Sequence, residues 1–266
     1  MKKYRQTEKK YKKWAKEGRG QGRLNDYKPW LNVQDVPSLG RSHRVLSATT
    51  GRVTQLLSDL EFYTFLVFDW NSDVVDIREQ YPLRLDITTS IADSLNIYHP
   101  QASNTDLVMT TDLLLDLSSK EHQQLAVQVK PSSELNNKRT REKLLIEKGF
   151  WESVNVPFQI VTEKDFHPTY IENLRWLHPA RFGELDRNKM LAESAIYSEL
   201  FQRFDDQKLT HVLAEIDLYR GCPKGYSLGK VRELFARKYF SFPLDKLFYT
   251  LKAYDVSTSA LGLERC

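Results

Sequence analysis

The sequence predicts an α/β protein with a mainly helical second domain, and three observations carry that prediction. Met109 to Lys130 holds two apolar, β-rich runs around a polar break, Ser118-Ser119-Lys120-Glu121-His122, which is a hairpin signal. Before about residue 167 the patterns run helix, strand, hairpin, helix, strand, the order of a mixed sheet with helices on both sides. From about Pro168 the pattern turns helical, with stretches at 168–179, 186–203, 207–219 and 228–239 and a β-leaning tail from Leu247 to Thr258. Three helices and a hairpin-like end predict a winged-helix arrangement. The expected domains are 1–167 and 168–266.

Taken in order, residues 1–18 suit a basic helix that stops before Gly18. Gly18, Gly20, Gly22 and Gly40, with Pro29 and Pro37, mark looped or extended chain. Val53, Leu56, Leu57, Leu60, Thr64 and Val67 recur at helical spacing, so an amphipathic helix is expected from Val53 onward. Val74 to Pro82 reads as a strand that the proline ends. Residues 86–106 are polar and read as an irregular surface insertion, 138–153 as a helix, and 156–161 as a short buried strand closing the domain.

Composition is that of an ordinary globular chain: 266 residues, 41% hydrophobic and 28% charged. No run of about 18 uncharged apolar residues is present, so no transmembrane helix is expected. The polybasic N-terminus lacks the apolar core of a secretory signal. Cys222 and Cys266 form neither a disulfide framework nor a metal-ligand spacing, which fits a reducing cytoplasm. Residues 1–23 carry ten Lys/Arg against Glu8 and Glu17, so the positive charge is concentrated there and the remainder is net negative. Such an arm suits a polyanion such as DNA, with a solvated helix as the alternative. Lys12, Lys13, Arg19, Arg23, Arg41 and Arg44 are the cations expected to follow a DNA backbone. His43 has no second histidine at metal spacing and is expected to be a surface or hydrogen-bonding residue.

A hairpin centred on Lys120 sets Asp112 opposite Gln128, with Lys130 on the same face. A carboxylate, an amide oxygen and an ammonium are what a hard divalent cation beside a scissile phosphate requires. The spacing D…Q-x-K is that of restriction-endonuclease-like nucleases, although hairpins also carry it by chance. Glu61 falls inside the apolar stripe of its helix, where an acid is costly unless paired or metal-bound. It either reaches a cation or pairs with a core arginine such as Arg78.

The stretches KEGRGQG, DYKPWLNVQDVPSLGRSHRV, TGRVTQLLSDLE, DIREQYPL, MTTDLLLDL, AVQVKP and RTREKLLIEKGFW, from Lys16 to Trp151, closely resemble TnsA, the endonuclease subunit of heteromeric cut-and-paste transposases. The resemblance implies a restriction-endonuclease-like N-terminal domain and a winged-helix-like C-terminal domain. It implies Glu61 and Asp112 as catalytic acids and Lys130 as a base-like residue. It implies Mg2+, with Mn2+ able to substitute, held among Glu61, Asp112, Gln128, Val129 and, on the next helix, Glu147. Implied partners are transposon-end DNA, a DDE-type transposase subunit (TnsB-like) and a regulatory ATPase (TnsC-like). The competing expectations are a stand-alone restriction or resolvase-type nuclease, which cuts DNA alone, and a non-catalytic DNA-binding assembly subunit, whose acids are only structural.

Overall fold

The computed structural model describes residues 8–36, 40–102, 104–118 and 123–258. The chain divides into two compact units, Met1–Asp165 and Phe166–Cys266.

The first unit opens with α1 (Glu8–Lys16), so the part of the expected basic helix before Glu8 lies outside the described residues. One edge of α1 docks through Trp14, whose ring meets Trp30 edge-on at 5.4 Å and carries the Arg19 guanidinium 4.6 Å above it. Lys9, Lys12, Lys13 and Lys16 occupy the exposed side. The glycine-rich stretch after α1 exists for close approach. A Cβ on Gly20 would lie 2.3 Å from Pro82 Cγ, and one on Gly22 would lie 2.5 Å from the Asp26 carbonyl.

β1 (His43–Leu46) and β2 (Val53–Leu56) form an antiparallel hairpin whose turn is gathered by the Asp69 carboxylate through Ser47 Oγ and the Ala48 and Thr49 amides. This corrects the helix expected from Val53. α2 (Asp59–Trp70) begins six residues later, because Ser58 caps it: Ser58 Oγ accepts from Glu61 N, and the Glu61 side chain returns to Ser58 Oγ and to Leu57 N. That reciprocal cap was readable in the sequence as Ser-x-x-Glu. The apolar spacing ran through it because Val53 and Leu56 of β2 happened to fall in register with it, although Val53 is exposed and only Leu56 is buried.

β3 (Val74–Pro82), as expected, ends at the proline. α3 (Leu85–Ser94) replaces the expected irregular insertion. Its Ser/Thr content hid it: Thr88, Thr89 and Ser94 satisfy their hydroxyls on carbonyls of their own helix, while Ile87 and Ile91 pack into the core. β4 (Gln101–Ala102) and β5 (Thr105–Asp106) are a two-residue pairing. β6 (Thr110–Leu117) and β7 (Gln124–Val129) form the expected hairpin in the expected register, Leu113 facing Val127; four residues of its expected loop, 119–122, lie outside the described residues. α4 (Lys138–Ser153) follows, capped by Asn137, and then β8 (Phe158–Val161), parallel to β7. The sheet order is β3-β6-β7-β8. α2 packs against β3 and β7, and Phe150 and Trp151 of α4 pack against Leu83, Leu114 and Ala126.

Arg52 and Glu79 form a fully buried two-pronged ion pair, and Arg52 also donates to the carbonyls of Leu24 and Ile77. It ties the glycine-rich segment and the β1–β2 hairpin to the middle of β3.

The second unit holds α5 (Pro168–Leu177), α6 (Arg187–Arg203), α7 (Leu209–Arg220) and α8 (Tyr226–Ala236), with Gly221 left-handed after α7. The Asp217 carboxylate accepts from the amides of Gly225 and Ser227 and so fixes the α7–α8 turn. The β-leaning tail is corrected: it forms mostly 3-10 turns, with a single bridge from Lys252 to Lys208 and β10 (Ser257–Thr258) pairing to β9 (Phe240–Ser241). Its aromatics serve packing instead, as where Phe248 stacks on Trp176 at 3.9 Å. Arg232 of α8 donates to the Trp176 carbonyl, and Arg237 at its C-terminal cap donates to the carbonyls of Phe182, Gly183 and Glu184.

Candidate active site

The site forms where the side-chain alternation of the sheet breaks. On β6, Leu114 packs beneath α4, yet so does Thr111, three residues away, bonded to Trp151 Nε1 and to the Glu147 carboxyl. A regular strand would send those two to opposite faces. The break lies opposite Gln80, whose backbone is left-handed (φ +48) between the paired residues Glu79–Leu113 and Tyr81–Thr111. Such a conformation inside a strand costs a non-glycine residue about 1–3 kcal/mol. Asp112 and the adjacent Thr111 face opposite sides, Asp112 toward Glu61 of α2 and Thr111 toward Glu147 of α4.

Asp112 is held from several directions. Its Oδ2 accepts from Val129 N at 2.8 Å and faces Lys130 Nζ at 3.5 Å, and its own N–H donates to Gln128 Oε1 at 3.1 Å. These side-chain bonds continue the β6–β7 ladder where backbone pairing ends. Lys130 Nζ also donates to the Val129 carbonyl at 2.8 Å. Glu61 reaches the same place from the first turn of α2. Gln80 Nε2 lies between the two acids, 3.4 Å from Glu61 Oε2 and 3.2 Å from Asp112 Oδ1, while its Oε1 accepts from Thr110 Oγ1. Glu61, Asp112, Gln128 and Lys130 are therefore brought together. The alternative, a Glu61–Arg78 pair, does not form, because Arg78 bonds Asp116 of β6.

Burial pushes the Glu61 carboxyl up to about 7, with the Asp112 charge adding to the shift and the bonds from Leu57 and Ser58 opposing it. Burial likewise pushes Glu147 up to about 8. Burial pulls the Lys130 ammonium down, but the carboxylates of Asp112, Glu147 and Glu61 outweigh it and its pKa is raised overall. Lys130 is thus a charged ammonium at neutral pH. The raised Glu61 carboxyl beside Asp112 makes a seat in which an added cation favours the ionised form of both.

Among the described residues no three Asp, Glu, His or Cys side chains converge closely enough to hold an ion on their own. Glu147 accordingly bonds Thr111 rather than joining Glu61 and Asp112. The donor set nevertheless fits a hard divalent cation. Mg2+ takes one or two carboxylates and fills the remaining positions with neutral oxygens and water. Glu61 and Asp112 supply the former. The carbonyls of Gln128 and Val129, each with a second lone pair, supply neutral oxygen.

The expected DNA-contacting cations divide. Lys12 and Lys13 lie on the exposed side of α1, and Arg44 is exposed on β1. Arg41 is exposed and pairs with Asp59 in the first turn of α2, two residues from Glu61; His43 bonds the same carboxylate and stacks on Phe62. Arg23 is exposed but tied to Asp116. Arg19 is tied into the fold by Asp35, Glu17, the Trp30 carbonyl and the Trp14 ring, which leaves little of it for a phosphate. Sequence reasoning missed Gln80. The available signal was the consecutive polar run Arg78-Glu79-Gln80 in a strand that is largely buried.

A mixed sheet carrying a carboxylate pair, a Q-x-K strand and a buried acid on the following helix defines a restriction-endonuclease-like nuclease domain. Residues 71–163 match the family described as TnsA-like endonuclease N terminal, and residues 165–244 match TnsA endonuclease C terminal. The chain is 41% identical over 244 residues to the Transposon Tn7 transposition protein TnsA of Escherichia coli, covering 92% of this chain and 89% of that one. The chain belongs to the TnsA endonuclease family. Among the described residues no helix is long and apolar enough to cross a membrane.

Proposed function

We propose that this protein is a Mg2+-dependent endonuclease that cleaves the 5′ ends of a transposon inside a heteromeric transposase complex in the cytoplasm. The observation that carries the reading is the pair of carboxylates, Glu61 and Asp112, meeting through one amide with the Lys130 ammonium on Asp112. Bound there, Mg2+ polarises the scissile phosphate and lowers the pKa of a bound water, and Mn2+ substitutes for it. Asp112 and Glu61 are the anionic ligands, with the Gln128 and Val129 oxygens completing the protein's share. Lys130 sits as a fixed cation where negative charge develops on phosphate. Glu147, buried on α4, accepts from Thr111 Oγ1 and so supports β6.

The exposed lysines of α1, with Arg41 and Arg44, contact DNA phosphates and orient the duplex without reading its sequence. The partners are transposon-end DNA, a DDE-type transposase subunit that cuts and joins the 3′ ends, and a regulatory ATPase. The E. coli relative's description as a transposition protein supports this over a stand-alone nuclease.

The test is reconstitution with the transposase partner and an end-labelled duplex carrying a transposon end. With Mg2+ or Mn2+ the 5′ strand is cut, and chelation stops it. Cutting of that strand in chelator, or none with metal and partner present, would contradict the reading.

A further inference from the structure

We infer that Gln80 is a built-in stand-in for the cation: its side-chain amide fills the seat between Glu61 and Asp112 and must leave when the metal enters. The inference rests on the metal reading above and names a residue that sets the strength of that site.

The geometry has one consistent orientation. The two carboxylates accept hydrogen bonds, so the NH2 end faces them and the oxygen end faces the Thr110 hydroxyl. The opposite orientation would aim a carbonyl oxygen at two carboxylates. Gln80 is buried, and its amide hydrogens join the two acids. The residue occupies the position at a cost, since its backbone is left-handed within β3. A glutamine required only to fill space would not need that conformation. Its carbonyl accepts from Trp30 N at 3.3 Å, so the amide projects from a backbone held by the aromatic cluster beneath α1.

An N–H pair between two carboxylates does what a cation does, in weaker form: it offers partial positive charge to both. Metal entry must break both bonds, so Gln80 lowers metal affinity and keeps the empty site ordered. A hydrogen bond to a charged group is worth roughly a tenfold factor in equilibrium, so removing the amide tightens metal binding about tenfold.

The experiment measures Mn2+ binding to the full-length protein by calorimetry and by the metal-induced rise in melting temperature. It compares wild type, Gln80→Gly, Gln80→Met and Asp112→Ala. Gln80→Gly suits the left-handed backbone and opens the seat; Gln80→Met keeps the volume without the donors. The expected result is about tenfold tighter Mn2+ binding in either variant that folds, together with a lower melting temperature without metal. Unchanged or weaker binding in both variants, with wild type binding saturably through Asp112, would overturn the stand-in alone. Mn2+ binding in none of the proteins would overturn the metal reading and this inference with it.

Discussion

Asp112→Ala removes cleavage of the transposon 5′ ends by about three orders of magnitude or more, while cutting and joining at the 3′ ends continue. The metal supplies several kcal/mol of charge stabilisation to phosphodiester hydrolysis, and each 1.4 kcal/mol is about tenfold in rate. Asp112 is the residue through which the site is assembled: it accepts from Val129 N, faces Lys130, shares the Gln80 amide with Glu61 and bonds Gln128 through its own N–H. Losing its carboxylate takes away a metal ligand and leaves the Val129 amide without its acceptor. Asp112→Asn separates the two effects, because an amide oxygen still accepts from Val129 while the charge is gone. It is expected to fold like wild type and to be nearly as inactive as the alanine variant. Strand-resolved gels of the reconstituted reaction measure both, and persistent 5′ cutting by Asp112→Ala would show that the acid is only structural.

Lys130→Met lowers 5′ cleavage by about two to three orders of magnitude, the scale observed when one preorganised donor to a developing negative charge is removed. Methionine keeps the aliphatic body and loses the ammonium. Three acids hold that ammonium charged, with Asp112 nearest at 3.5 Å. In this protein Lys130 therefore acts as a cation aimed at phosphate rather than as a group that collects a proton. Metal binding should survive the substitution, since a competing positive charge leaves Asp112. A single-turnover rate within a few-fold of wild type would remove Lys130 from the chemistry. Loss of Mn2+ binding would make it a support of the metal seat instead.

The sheet and its register were legible because hairpin patterning is local: the polar break, the apolar runs and the terminating prolines each act within a few residues. α4 was legible to the residue for the same reason, with Asn137 as its cap. The start of α2 was legible in Ser58-x-x-Glu61 but was outvoted by an apolar spacing that continued across the cap. α3 was hidden because its threonines satisfy themselves, which composition alone reads as loop. Gathering Glu61 to Asp112 was only partly legible. The sequence shows an acid on an apolar stripe but not what it meets. The encounter runs through the Gln80 amide between the two acids, and no pattern of residue types marks a left-handed glutamine within a strand. The division of the basic residues was likewise out of reach, since Arg19 and Lys12 look alike until Trp14, Asp35 and Glu17 take one of them.

The central claim is that Glu61 and Asp112 hold one cation together. The anomalous difference map of crystals soaked in Mn2+ tests it most directly. A single strong peak is expected within bonding distance of both carboxylates, with the Gln80 amide displaced from between them. A peak bound to one acid while Gln80 still bridges the pair, or no peak at the site at saturating Mn2+, would contradict it.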